Sequence, residues 1–177
     1  MTDTIISFEL EPPDAGEMRR RIEGTLERFP WLVCEREKRV SGYAYASAHG
    51  SRAAYRWSVD VSAYVREGER RSGVGRALYT SLFSLLSLQG FYNAYAGITL
   101  PNPASVGLHE ALGFRPVGVY RGVDYKLGAW HDVGWWHLAL RELRAEPDPP
   151  CDLPSMPGSA EWSPALASGL PLLRNGP

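Results

Sequence analysis

Cysteine is nearly absent, with two residues in a chain of 177. Cys34 lies in an apolar run and Cys151 in a proline-rich stretch, which excludes a disulfide framework and offers no metal-ligand spacing. An excess of charge of one sign is also missing: 19 Lys and Arg stand against 20 Asp and Glu, a net charge of −1. Nucleic-acid binding, which favours a basic face, therefore has no support. No apolar run reaches the length of a membrane span and no secretory leader opens the chain, so the expectation is a cytoplasmic protein with no membrane partner. His131 and His137 lack a third ligand at metal spacing, so no metal is expected. No internal repeat is visible.

What remains is ordinary globular material. Hydrophobic residues make up 44% and charged residues 22%, consistent with one soluble domain. Asp14 and Glu17 form an Asp-x-x-Glu cap for a helix to about residue 28, with Met18, Ile22, Leu26 and Phe29 on one face. Residues 31–36 and 40–48 read as a hairpin turning at residues 37–39. Residues 55–65 alternate: Val59, Val61, Ala63 and Val65 face one way, while Ser58, Asp60, Ser62 and Tyr64 face the other. Residues 75–89 carry Leu78, Leu82, Leu85 and Leu86 at helical spacing and end at Gly90. A strand over residues 92–100 follows, then Asn102-Pro103 opens a short helix that Gly113 closes. Residues 115–126 and 130–140 read as closing strands. The order implies an α/β or α+β sheet covered by helices, confined to residues 1–143. Eight of the 14 prolines fall between Pro147 and Pro177 without an apolar period, so residues 144–177 are expected to form a disordered or loosely docked tail.

The chain is organised around Arg70-Arg71-Ser72-Gly73-Val74-Gly75, between the alternating strand and the apolar helix. A helix N-terminus offers unpartnered N–H groups and partial positive charge, which suits a phosphate. Glycines at 73 and 75 open the backbone to it, and the two arginines add cationic donors. A Walker loop fails because Val74 stands where lysine is required, and a dinucleotide fingerprint fails because position 78 is leucine. The pattern Gln/Arg-x-x-Gly-x-Gly/Ala, the pyrophosphate loop of acetyl-coenzyme A-dependent acyltransferases, is met at every position. Alone, such a pattern is as often a plain turn.

Its neighbours add specificity. Leu-Pro-Asn-Pro-Ala-Ser, His-Glu-Ala-Leu-Gly-Phe and Gly-Ala-Trp-His-Asp-Val-Gly-Trp-Trp follow the loop in order. Together these segments resemble the phosphinothricin N-acetyltransferases of the GNAT superfamily, from about Phe8 to Leu140. The resemblance implies the GNAT fold, a mixed, mostly antiparallel twisted sheet flanked by helices. Family members usually carry a further strand and helix before the Phe8 segment, and this sequence opens after them. An unpaired edge left there would invite association, and a homodimer is the expected assembly.

The implied activity is acetyl transfer from acetyl-coenzyme A to the α-amine of a small amino acid by direct attack in a ternary complex. Such chemistry needs a base for the ammonium and a donor for the thioester oxyanion. The resemblance puts Asp60 at the family's base position, one methylene shorter than the usual glutamate. It matches His131 to a histidine beside the acceptor, able to accept or relay the amine proton, and His109 to the site of an acid for the leaving thiolate. His49 and His137 have no such match. Main chain at Ala63, Tyr64 and Val65 corresponds to the segment that binds the pantetheine arm. Arg70, Arg71, Ser72, Gly73, Val74 and Gly75 correspond to the pyrophosphate loop, and Asn102 with Ser105 to the coenzyme-binding turn. For the acceptor, Arg52 keeps the second member of a Lys-x-Arg pair while Gly50 replaces the first, and Phe8 and Tyr55 fall on aromatic positions of the pocket. The missing cation disfavours a phosphinate and makes methionine sulfoximine a reasonable acceptor. The alternative is a non-catalytic acyl-coenzyme A-binding protein with weakened or lost turnover; a protein or peptide acetyltransferase is a third reading.

Overall fold

The computed structural model describes residue 6, residue 9 and residues 11–174. Phe8 and most of the opening segment lie outside them. Helix α1 (Ala15–Leu26) starts as its capping pattern requires, the Asp14 carboxylate accepting the Glu17 N–H at 2.8 Å. Strands β1 (Trp31–Arg36) and β2 (Arg39–Ala48) pair antiparallel through a two-residue turn, with Glu37 and Lys38 both at positive φ. A 3₁₀ turn at Ala53–Tyr55 leads into β3 (Ser58–Val65), shorter than the strand expected from residue 55. Helix α2 (Val74–Gln89), β4 (Asn93–Leu100), α3 (Pro103–Ala111), β5 (Arg115–Lys126) and β6 (Ala129–Ala139) complete the order read from the sequence.

The six strands form one sheet in the order β1-β2-β3-β4-β6-β5. Strands β3 and β4 run parallel, joined by the α2 crossover, and the other neighbours are antiparallel. Alternation sorts the two faces. Ala44, Ala46, Val59, Val61, Ala94 and Ala96 are buried in the core with Leu78, Leu82 and Leu86 of α2. Tyr43, Tyr45 and Tyr64 face the opposite side, where α1 lies. None of the α1 residues is buried, and between that helix and the aromatic face a cavity of about 380 Å³ remains.

The parallel pair explains the site. Its register covers only Ser58 with Asn93, Val59 with Ala94 and Asp60 with Tyr95; beyond Asp60 the two strands separate. Among the described residues, 61–65 keep their register with β2 but have none with β4.

The proline-rich segment departs from expectation, being neither unstructured nor loose. It carries 3₁₀ turns at Leu153–Ser155 and Leu170–Leu172 and a short helix α4 (Trp162–Ala167), and Leu153 and Met156 are buried. The physical reason is polar anchoring from α2 rather than an apolar period. Gln89 donates to the carbonyls of Arg28 and Cys151, Ser81 donates to the carbonyl of Leu166 and accepts from Gly169, and Ser84 pairs with Ser168. Further on, the Arg174 N–H donates to the Ser72 carbonyl, and Arg36 donates to the Arg174 carbonyl at 2.7 Å.

Candidate active site

The loop before α2 turns into a helix N-terminus where the sequence places one. Gly73 adopts φ +85 as the N-cap, a conformation that glycine takes without strain. Its missing Cβ makes room for the tail rather than for a ligand: a Cβ there would lie 2.0 Å from the Leu172 carbonyl oxygen. Gly75 holds the other side. A Cβ on it would meet Leu108 at 3.1 Å and Val65 at 3.5 Å, so it borders the gap between the end of β3 and α3. Among the described residues, the N–H groups of Gly73, Val74, Gly75 and Arg76 have no acceptor. They sit at the positive end of a 16-residue helix, with Arg70 and Arg71 exposed beside them. Ser72 is buried, its hydroxyl spent on the Glu69 carbonyl. Across the gap, Asn102 caps α3 by accepting the Ser105 N–H at 3.1 Å.

Asp60 marks the point where the strands part. Its carboxylate meets His49 Nδ1 at 2.6 Å. Burial pushes the Asp60 pKa up, and the His49 contact opposes that rise. The His49 ring stacks on Tyr95 at 4.2 Å between centroids, and Tyr55 and Trp135 stand edge-on to it at 5.9 and 6.1 Å. The stack continues from Tyr95 to His137 at 4.9 Å; His137 Nε2 bonds Asn93 Oδ1, and burial lowers its pKa. Trp135 Nε1 is buried without a partner among the described residues, a donor on the same face as Asp60.

His49, Tyr95 and Trp135 were not expected here. Cross-strand pairing of Ser47 with Asp60 brings the end of β2 beside the carboxylate, and His49 follows two residues later. In the sequence, an irregular nine-residue connection hides that register.

Two expected residues fall elsewhere. His131 does not reach Asp60. Asp60 registers with Tyr95 and Tyr95 with His137, which puts His131 six residues further along a strand rising about 3.3 Å per residue, a separation of roughly 20 Å. It donates instead from Nε2 to the Lys126 carbonyl at 2.9 Å, near the β5–β6 turn. His109 is buried, not poised at an opening. Nδ1–H donates to the Ser105 carbonyl at 2.8 Å and Nε2 accepts the Tyr79 hydroxyl at 3.0 Å. Burial lowers its pKa, which fits a neutral ring bonded on both nitrogens, so neither holds a spare proton for a thiolate.

On the acceptor side, Tyr55 is exposed and touches His49, and Arg52 precedes it in the same turn, exposed to solvent. Gly50 lies against the Tyr55 ring, where a Cβ would sit 3.0 Å from Cδ2. Among the described residues, no group of three or more His, Cys, Asp or Glu could hold a metal ion, and no helix is long and apolar enough to cross a membrane.

Comparison with known proteins agrees with this geometry. The acetyltransferase (GNAT) domain model matches residues 2–135. A phosphinothricin N-acetyltransferase from Streptomyces viridochromogenes is 44% identical over 144 residues, 81% of this chain and 78% of that protein. An L-methionine sulfoximine/L-methionine sulfone acetyltransferase from Salmonella typhimurium is 35% identical over 120 residues, 68% of this chain and 70% of its own. Among solved structures, a GNAT phosphinothricin acetyltransferase from Sinorhizobium meliloti in complex with acetyl-coenzyme A has a TM-score of 0.75 at 35% identity, covering 82% of this chain and 80% of that one.

Proposed function

The chain belongs to the GNAT acetyltransferase family and is an acetyl-coenzyme A-dependent N-acetyltransferase; from that premise, we propose that its acceptor is the α-amine of a small amino acid of the phosphinothricin or methionine sulfoximine type. The observation that carries the reading is the parting of β3 from β4 beyond Asp60, beside the free amides of α2. The pantetheine arm adds along residues 63–65 as an extra strand would, and the diphosphate takes the α2 amides with Arg70 and Arg71. The acetyl group then ends near Asp60, facing the pocket of Tyr55, Tyr95 and Trp135.

Attack is direct, in a ternary complex. A covalent acetyl-enzyme would need an activated thiol or hydroxyl at the opening. Cys34 is on β1 with its pKa raised by burial, and Cys151 is in the C-terminal segment bonded to the Gln89 carbonyl. The Asp60 carboxylate, paired with His49, stands at the family's base position, where the proton must be taken. Arg52 and the unpartnered Trp135 N–H are the donors for the acidic end of the acceptor. A homodimer goes with this reading. Strand β5, the turn after it and the start of β6 expose Val117, Val119, Val123, Tyr125, Leu127 and Trp130, an apolar strip that a second copy would cover.

The test is a panel of free amino acids and analogues with acetyl-coenzyme A, following thiol release and mass of the product. N-acetylation of phosphinothricin or methionine sulfoximine, well above unrelated amino acids, is the expected result. Transfer only to peptides or proteins would overturn the acceptor assignment.

A further inference from the structure

We infer that His49, rather than Asp60 itself, takes the proton from the acceptor amine, with Asp60 as the positioning residue that holds the imidazole in the required tautomer. The inference rests on the acetyl-transfer reading above and refines it.

The geometry points this way at three places. First, an ionised carboxylate only accepts hydrogen bonds, so the 2.6 Å contact puts the ring proton on Nδ1 and leaves the lone pair on Nε2. Nε2 has no hydrogen-bond partner among the described residues. Second, the ring is held by neighbours that offer no competing charge. Tyr95 stacks on it from β4, Tyr55 stands edge-on from the 3₁₀ turn and Trp135 edge-on from β6. Asp60 from β3 is the charged side chain that pairs with it, and His137 contacts Tyr95 beyond. Third, Asp60 is short and engaged, and the imidazole extends it outward by a hydrogen bond and a ring's width. A base oriented by a carboxylate through its second nitrogen is a general solution for raising a nucleophile's reactivity near neutral pH.

The step balances without another reactant. Nε2 removes one proton from the ammonium, directly or through one water, and the freed nitrogen lone pair attacks the thioester carbon. The C–N bond forms, the C–S bond breaks as the tetrahedral adduct collapses, and a second nitrogen proton goes to the departing thiolate. The imidazolium then returns its proton to solvent. Ammonium and thioester become amide, thiol and one released proton.

The experiment compares kcat/KM against pH for the parent enzyme, His49→Gln, Asp60→Asn and the double variant, with acetyl-coenzyme A affinity measured by calorimetry. His49→Gln keeps a donor toward Asp60 but no base, so kcat is expected to fall about 10²–10⁴-fold with coenzyme affinity unchanged and the acid limb of the pH profile lost. Asp60→Asn added to it should cost little more, because the two act as one unit. Free imidazole should restore part of the activity of His49→Ala by entering the vacated slot, which a structural role would not permit. Unchanged turnover and pH profile in His49→Gln overturn the inference, as does a full further loss from Asp60→Asn in that background. A parent enzyme that acetylates no amine in the panel overturns the functional reading and this one with it; an active parent and unaffected His49→Gln overturn this one alone.

Discussion

Gly75→Asp separates coenzyme binding from folding. Position 75 is in the first turn of α2 and borders the gap toward Val65 and Leu108. Its helical conformation accepts a side chain at the cost of a small shift of the flexible Leu108, 3.1 Å from the new Cβ. A carboxylate in a first helical turn is favourable by about 0.3–1 kcal/mol through the helix dipole, so the melting temperature should hold or rise. For binding, the sign reverses. The new carboxylate competes for the free amides of residues 73–76 and repels a diphosphate. Losing two charge-assisted hydrogen bonds at about 1.5–3 kcal/mol each weakens binding by about 3–6 kcal/mol, or about 10²–10⁴-fold in Kd. Calorimetric titration with acetyl-coenzyme A, beside a thermal melt, reads both effects. A folded variant with unchanged affinity would refute the assignment of the diphosphate to this turn. Gly73 makes a poorer probe: at φ +85, with the Leu172 carbonyl in the Cβ position, any side chain adds strain and dislodges the C-terminal segment.

Arg52→Ala removes a charge-assisted contact of about 1.5–3 kcal/mol, so the acceptor KM should rise by roughly 10- to 150-fold while acetyl-coenzyme A affinity holds; equal damage to both would move Arg52 out of the pocket. His109→Phe leaves the buried Tyr79 hydroxyl without its acceptor, and urea unfolding should show a loss of about 1–3 kcal/mol. Because burial lowers the His109 pKa, its contribution is complete above the ordinary histidine value of 6.5 and is lost as pH falls toward the depressed folded value; a melt series across that interval should flatten in His109→Phe. Asp60 has the opposite sign. Its folded pKa is raised above 3.8, so its contribution is fullest below that value and is lost as pH rises through the raised one, and Asp60→Asn should remove this dependence from the melting curve.

Much of the fold was legible because its elements carry local signals. The Asp14 cap, the leucine spacing of α2 and the Asn102-Pro103 start of α3 each reproduce within a residue or two of the observed bounds, and the alternation through Asp60 marks a strand that begins three residues later than expected. The turn into α2 was legible too, since adjacent residues make it. What failed depended on register and distance. His49 joins Asp60 only through the β2–β3 pairing, and His131 is set apart by the β4–β6 register, neither of which sequence spacing reveals. His109 matched the site of an acid for the thiolate, yet the apolar flank of α2 at Tyr79 buries it. The ordered C-terminal segment escaped notice because serines and a glutamine on α2 hold it through backbone atoms, an arrangement with no hydrophobic period. Gly73 serves the packing of a segment about a hundred residues away, which its sequence neighbours do not reveal.

The central claim is that the opening beyond Asp60 joins acetyl-coenzyme A to the α-amine of a small amino acid. Its most direct test is mass-resolved acetyl transfer with the parent protein, using methionine sulfoximine and its N-methylated counterpart at equal concentration. The account predicts an acetylated product at the α-nitrogen of the free amino acid, with one thiol released per acetyl transferred. Thiol release without amide formation, or acetylation independent of a free α-amine, would contradict it.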